Sequence, residues 1–276
     1  MAIDRLDALL ASFSVSARLF HAGALCGITD FPASAGTGQL HLVRSGRVVA
    51  QHAGTRGVLV TGPALMFYPR PIDHRFVTDA TLGADLACAH VEFRGGAINP
   101  VAASLPAFLT LPLDRLPDTQ PVLELLFREA FGQRCGRQAV LDRLFEVVIV
   151  HLLRSLLDAG AVDGGLVAGL AHPKLARALV AMHEEPARDW SLPALAAAAG
   201  MSRSAFAASF RAIVGMAPGE YLARWRVCLA QDLLRRGEPL KRIAPRVGYG
   251  GIVALSKAFR AACGESPRTW LAAQSS

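Results

Sequence analysis

Residues 200–218, GMSRSAFAASFRAIVGMAP, and residues 248–267, GYGGIVALSKAFRAACGESP, write one pattern twice. Ala196 aligns with Ala244 and Gly200 with Gly248. One inserted residue later, Phe206 aligns with Leu255, Phe210 with Phe259, Gly215 with Gly264, Pro218 with Pro267 and Tyr221 with Trp270. A repeat that keeps its register this far constrains the fold more than composition does, because what one copy forms the other must form too. Each copy reads as helix, tight turn, helix. Ser191 is placed to cap a helix that tolerates Pro193 in its first turn, Gly200 frees the backbone to stop it, and Ser202 caps the next. Phe206, Phe210 and Ile213 fall on one face for burial, and small Ala196 lets the two helices cross closely.

The opposite faces are then free. Ser204, Ala207, Ala208 and Arg211 point away from the Phe206–Phe210 stripe, with Arg203 a further candidate contact; in the second copy Val253, Ser256, Lys257 and Arg260 point away from Leu255 and Phe259. Short side chains with a few cations suit a helix entering the DNA major groove, the cations reaching phosphates and Ala207, Ala208 and Val253 facing thymine methyls. Between the copies Pro218 opens a helix of about 19 residues, roughly 28 Å long, with Leu222, Trp225, Leu229 and Leu233 as its buried stripe. Such a rod is expected to hold two reading helices about one DNA turn apart, roughly 34 Å.

Charge points the same way. Residues 1–172 carry 14 basic and 15 acidic residues, whereas residues 173–276 carry 15 basic and 7 acidic, so the whole +7 excess of the chain lies in its last part. A basic module beside a near-neutral one implies a polyanionic partner. No apolar run is long enough for a membrane span, and the N-terminus, MAIDRLDALLASF, lacks the basic and apolar regions of a secretion signal. Five scattered cysteines (Cys26, Cys88, Cys135, Cys228, Cys263) form no CxxC pair, which fits a reducing cytoplasm.

Upstream, QLHLVRSG, GVLVTG, PALMFYP and DLACAHVEF read as short strands of a β-barrel or sandwich. From Pro121 the period becomes helical: VLELLFREAF, then AVLDRLFEVVIVHLLRSLL with Leu141, Leu144, Phe145, Val148, Leu152 and Leu156 on one stripe. A second apolar stripe on that helix implies another cover, with a partner subunit and the same chain as equal alternatives. Gly160, Gly164, Gly165 and Gly169 are read as a flexible linker, and the chain beyond His172 as almost wholly helical.

The residues LAAAAGMSRSAFAASFRAIVGMAPGEYLARWRVCLAQDLL and IAPRVGYGGIVALSKAFRAACGESPRTW resemble the AraC/XylS family of bacterial transcription regulators. The resemblance implies a double helix-turn-helix domain acting at promoters, with Ser204, Ala207 and Ala208, then Ile252, Val253, Ser256 and Lys257, in base-facing slots. Two departures stand out: apolar Ile252 where the family usually has a polar residue, and Pro245 inside a helix that it disfavours. The second copy is therefore expected to supply backbone contacts and the first the specificity.

GQLHLVRSG and GPALMFYPRPIDHRF are similar to the two strand motifs of cupin sensor domains. The expected architecture is α+β and multidomain: a cupin-like β-barrel that senses an effector over residues 1–118, a helical linker and dimerisation segment over 119–172, and an all-α double helix-turn-helix domain over 173–276. His41 and His74 match two cupin metal-ligand positions, while Val43 replaces a second histidine and the expected Glu is missing. On LACAHVEF, Cys88, His90 and Glu92 alternate onto one face. His41, His74, Cys88 and His90 are the candidate effector pocket, and His41, His74 and His90 the candidate ligands of a bound metal ion, since a closed site needs three or four. An organic effector in the barrel is the stronger alternative.

The reading that follows is a cytoplasmic, sequence-specific, DNA-binding regulator. Its expected partners are double-stranded promoter DNA, an unidentified small-molecule effector, a second copy of itself and RNA polymerase. The rival readings are a cupin-type metal-dependent enzyme, or a metal or redox sensor, whose barrel carries the main activity; the broken ligand set and the double reading module count against the enzyme.

Overall fold

Apolar runs punctuated by Gly and Pro become strands in the first part of the chain. The computed structural model describes residues 4–12, 15–33, 36–53, 56–93 and 99–273. After α1 (Asp7–Ser12) come β1 (Val15–Leu25), β2 (Ile28–Phe31), β3 (Gly38–His52), β4 (Val58–Thr61), β5 (Ala64–Tyr68), β6 (His74–Val77) and β7 (Ala84–Phe93). Helix α2 (Pro100–Ser104) and strand β8 (Leu109–Pro112) lead into α3 (Gln120–Ala130) and α4 (Arg137–Ala159). The rest is helical: α5 (Gly165–Ala171), α6 (Leu175–Glu184), α7 (Leu192–Ala198), α8 (Arg203–Val214), α9 (Pro218–Arg235), α10 (Leu240–Arg246), α11 (Ile252–Cys263) and α12 (Pro267–Ala273). Two units result, one of Val15–Ala97 with Leu105–Leu156, the other of Met1–Ser14, Ile98–Ser104 and Leu157–Ser276.

In the first unit β3 is the spine. Its first half pairs antiparallel with β5 and β7, and its second half with β4 and β6. The strand order β1-β7-β3-β5-β8 ends at β1 and β8, so the expected closed barrel is instead an open sheet. Helix α4 supplies what closure would have supplied: Leu19 N–H donates to Asp142 Oδ1 at 2.9 Å and Gln138 Nε2 donates to Leu19 C=O at 3.2 Å. These side chains satisfy backbone groups on the free edge of β1, the edge a sheet must otherwise leave open. Strand β5 is buried along its whole length, and β3 from Gly38 to Val43, so both sheet faces carry core there. One face holds Phe31, Val43, Met66, Tyr68, Phe76, Leu86 and Cys88. Within α4, Leu141, Phe145, Val148, Ile149, Leu152 and Leu153 are buried, leaving Val140 and Val147 each 39% exposed as the apolar remainder of its second stripe.

The second unit realises the repeat. Ser191 Oγ accepts from Ala194 N–H and Ser202 Oγ from Ala205 N–H, both at 3.3 Å, so both expected caps form. Gly200 at φ +62° and Gly248 at φ +82° make equivalent turns: Met201 N–H reaches Ala196 C=O, and Tyr249 N–H reaches Ala244 C=O. A side chain would strain either left-handed turn. Phe206, Phe210, Leu255 and Phe259 have no solvent exposure; Val214 is buried where Ile213 was expected and Ile213 is half-buried, a shift of one residue on the helix face. Pro245 lies within α10, where its missing N–H leaves only the Lys241 C=O of the first turn unbonded, and both residues are exposed to water.

The glycines of residues 160–169 do not make a plain linker, because α5 includes Gly165 and Gly169. A Cβ at Gly169 would stand 2.7 Å from Leu179 Cδ1 and 2.9 Å from Val214 Cγ2, so the absent side chain is what lets α5 seat against α6 and α8. Helix α9, 18 residues and about 27 Å long, joins the two copies. Midway along it Arg226 donates to Pro186 C=O at 2.7 Å and Arg188 C=O at 2.8 Å, ahead of the first copy, while its guanidinium lies 5.6 Å from the Tyr249 ring in the turn of the second. A Cβ at Gly248 would meet that guanidinium at 2.8 Å.

Phe210 packs at 5.5 Å from the Phe206 ring and 5.8 Å from Tyr221. Phe210→Ala is expected to destabilise the helical unit by about 3–5 kcal/mol, read as a lower urea midpoint of its helical circular dichroism. An unchanged midpoint would contradict the assigned core.

Candidate functional site

Two regions carry functional chemistry, one in each unit. In the helical unit α8 and α11 are anchored by their phenylalanine and leucine stripes, and their outer faces are open. On α8, Arg203, Ser204, Ala208 and Arg211 are exposed and Ala207 is half-buried. On α11, Ile252, Val253, Lys257 and Arg260 are exposed, Ser256 is half-buried, and together with Ala261 they line a shallow depression of about 590 Å3. All ten expected contact residues thus lie on the two outer faces.

Ion pairing sharpens the charge of these faces. Four acids of residues 173–276 are engaged by neighbouring arginines: Glu185 by Arg188 at 2.8 Å, Glu220 by Arg224 at 2.9 Å, Asp232 by Arg236 at 2.6 Å and Glu238 by Arg246 at 2.6 Å. Among the described residues no carboxylate pairs with Arg203, Arg211, Lys257 or Arg260. Their positive charge is left for an external anion.

In the sheet unit the register sets the candidate pocket. His41 lies opposite Cys88 and Met66, Gln39 opposite His90 and Tyr68, and Arg18 opposite His90. His74 enters from β6, stacked on Tyr68 at 3.9 Å and on Phe31 at 5.2 Å. Its Nδ1 lies 2.8 Å from Ile72 C=O, which can only accept, so Nδ1 carries the proton and Nε2 is left as an acceptor. His41 Nε2, 3.0 Å away, donates to it. His41 Nδ1 is then a buried lone pair with no hydrogen-bond partner. Burial holds both rings neutral, pushing His74 down to about 4 and His41 well below the ordinary histidine value.

The expected three-histidine metal set does not assemble. The His74 Nε2 lone pair is taken by His41, and the His90 ring packs on Phe20 at 4.4 Å. Burial raises the Cys88 thiol far above the ordinary range, so it stays protonated. Among the described residues no three His, Cys, Asp or Glu side chains are grouped to hold a metal ion. The residues present do not fit a closed site.

Two pockets reach this region from outside. One of about 530 Å3 is floored by Phe31 and His74 and walled by Asp30, His52, Asp73 and Arg75. The other, of about 570 Å3, has His90, Arg18, Thr37, Glu92, Asp142 and Arg143 among its walls. His41 and Cys88 lie wholly buried, so the four expected pocket residues divide between the interior and two separate openings. Sequence reasoning missed Arg18 and Thr37; no strand had been read at β1, so nothing pointed to its charged side chain.

The helical unit also buries an ionisable group. His183 Nε2 is 2.6 Å from Tyr221 Oη and its ring stacks on Trp225 at 3.8 Å, burial taking its pKa down to about 3.

A family described as "Cupin" matches residues 4–158, and one described as "Helix-turn-helix domain" matches residues 195–273. A putative AraC-like transcription regulator of Streptomyces antibioticus is 44% identical over 151 residues, 54% of this chain and 50% of that protein. Another from Streptomyces lividans is 40% identical over 168 residues, 59% of this chain and 55% of that one. The chain spans about half the length of these curated relatives. Among solved structures, the DNA-binding domain of AdpA, a global transcriptional factor crystallised with a target DNA, is 35% identical, with 37% of this chain and 91% of that chain covered and a TM-score of 0.35.

His74 and His183 are neutral in the folded chain but titrate near 6.5 when unfolded, so stability is full above that pH and falls as acid protonates the unfolded chain first. The loss is expected on the order of 1 kcal/mol per pH unit for each, continuing to about pH 4 for His74 and about 3 for His183. Urea midpoints at pH 7.5 and pH 5.0 check this, and equal midpoints would refute the buried neutral state.

Proposed function

The chain belongs to the cupin family, with a helix-turn-helix domain further along it, and from that premise we propose that it is an AraC-type transcription regulator that binds double-stranded promoter DNA sequence-specifically and answers to a small-molecule effector. The observation that carries the reading is the duplicated outer face. Two helices of one chain, α8 and α11, each stand on a buried aromatic or aliphatic stripe and each turn unpaired cations outward. Polyanion binding is the chemistry such faces perform, and a groove-width helix with short side chains is the shape base reading requires.

In this reading Arg203, Ser204, Ala207, Ala208 and Arg211 belong to one half-site, and Ile252, Val253, Ser256, Lys257 and Arg260 to the next. The effector acts on the cupin-like unit through the region of His41, His74, Cys88 and His90, entering by the opening over Phe31 and His74 or the one beside His90. The unpartnered Nδ1 lone pair of His41 supports a ligand that donates a hydrogen bond. The ligand shifts the balance between arrangements of the chain, and with it the half-sites engaged together. The chain works in the cytoplasm as a homodimer, with RNA polymerase as a protein partner, and α4 with its exposed Val140 and Val147 belongs to the dimer contact. The metal-dependent enzyme is the weaker reading, because it requires a ligand set that His41 and His74 alone do not supply.

Binding of the full chain to a duplex enriched from a random-sequence library, followed by fluorescence anisotropy, is expected to weaken steeply with salt. Arg211→Ala, Lys257→Ala and Arg260→Ala should each lower the slope of log K against log salt by about 1 with no change in melting. A slope that none of the three alters would refute the assigned face.

A further inference from the structure

The cleft beside His90 carries charges that its own residues leave unanswered. Strand register sets one wall: Arg18 of β1 stands opposite His90 of β7, and Ser16 opposite Glu92, so Arg18 and Glu92 are diagonal neighbours on one sheet face. Diagonal neighbours have Cα atoms about 7–8 Å apart, within reach of long side chains of opposite charge. Here that pair does not form. Among the described residues neither Arg18 nor Glu92 has a hydrogen-bond or ion-pair partner.

Helix α4 brings Asp142, Arg143 and Glu146 to the other wall, and these are already engaged. Arg143 holds Glu146 at 3.0 Å, and Asp142 Oδ1 accepts from Leu19 N–H at 2.9 Å and from Gln138 Nε2 at 2.8 Å. One free guanidinium and one free carboxylate remain, with about 570 Å3 of space beside them. Two more polar atoms of the walls, Thr37 Oγ1 and His90 Nδ1, are buried without a partner. Buried polar groups are ordinarily matched, so two orphans in one cleft mark a place where the protein's own hydrogen bonding stops short. Desolvation first and Arg18 second hold His90 below its ordinary value, so its ring adds no charge.

Charge then decides the occupant. Glu92, Asp142 and Glu146 outnumber Arg18 and Arg143, which disfavours a plain anion, while a plain cation leaves Arg18 unanswered. A molecule that carries a carboxylate and an ammonium on one carbon answers both free groups at once. We propose that this cleft binds a free α-amino acid, its carboxylate on Arg18 and its ammonium on Glu92, with the rest of the space left for its side chain. The guanidinium donates to the carboxylate and the Glu92 carboxylate accepts from the ammonium, both as charge-assisted hydrogen bonds. This ligand class rests on the effector half of the proposed function and moves the ligand's charged contacts from the His41–His74 pair to Arg18 and Glu92.

The test follows melting of the full chain with each common L-amino acid in turn, beside the amine that lacks its carboxylate and the acid that lacks its amine. Affinity is read from the dependence of the midpoint on ligand concentration. At least one amino acid is expected to raise the midpoint, and both of its truncated forms to bind about 10-fold more weakly or worse. Arg18→Gln should bind that amino acid no better than its amine, and Glu92→Gln no better than its deaminated acid. Both side chains are exposed, so the ligand-free midpoints of the two variants should match the wild type. No response to any amino acid, truncated forms that bind as tightly as the parent, or variants that keep the wild-type discrimination would each overturn the proposal and leave the DNA-binding reading standing. An amino acid that binds with this discrimination and leaves affinity for the enriched duplex unchanged would support the site and overturn the effector reading instead.

Discussion

A single arginine in the middle of α9 decides how the helical unit presents itself. Arg226 holds the carbonyls of Pro186 and Arg188, which precede the first copy of the repeat, and lies against Tyr249 in the turn of the second. Half-burying a guanidinium is unfavourable, and desolvation lowers its pKa from the usual value. Two charge-assisted hydrogen bonds to carbonyls offset that cost. Gly248 completes the arrangement, since its absent side chain leaves the space that the guanidinium fills. Arg226 is thus a polar tie from the rod to the segment before the first copy and to the turn of the second, beside the apolar packing of α8 and α11.

The sheet unit solves a different problem. An open sheet exposes unpaired backbone at its edge, and at Leu19 this one hands those groups to Asp142 and Gln138 of α4. With both faces buried, the strands can carry titratable rings only in neutral form. His41 and His74 meet that condition by hydrogen bonding to each other in a fixed tautomeric sequence that begins at Ile72 C=O. The pair is a satisfied core element at His74 and an unsatisfied one at His41 Nδ1.

Much of this was legible in the sequence because physical demands leave residue signatures. The helix-turn-helix copies were readable from Ser191, Gly200, Ser202, Phe206 and Phe210, each fixed by a cap, a turn or a core position, and repetition doubled the signal. Strand β1 was not readable: its inward Val15, Ala17 and Leu19 alternate with Ser16, Arg18 and Phe20, and a bulge between Leu19 and His21 breaks the period. Helix α5 was hidden because Gly165 and Gly169 signal a linker, whereas Gly169 is present for close packing. The grouping of His41, His74, Cys88 and His90 was half legible. Alternation put Cys88 and His90 on one face, but only the ring packing shows Phe20 lying against both His90 and His41.

The unlike outer faces of α8 and α11 have a geometric consequence. Two copies with like outer faces would offer the same side chains twice. Here one offers Arg203 and Ser204 and the other Ile252 and Val253. On the proposed reading as a DNA-binding regulator, exchanging the two copies would exchange what each half-site meets, which gives the helical unit a polarity along the duplex.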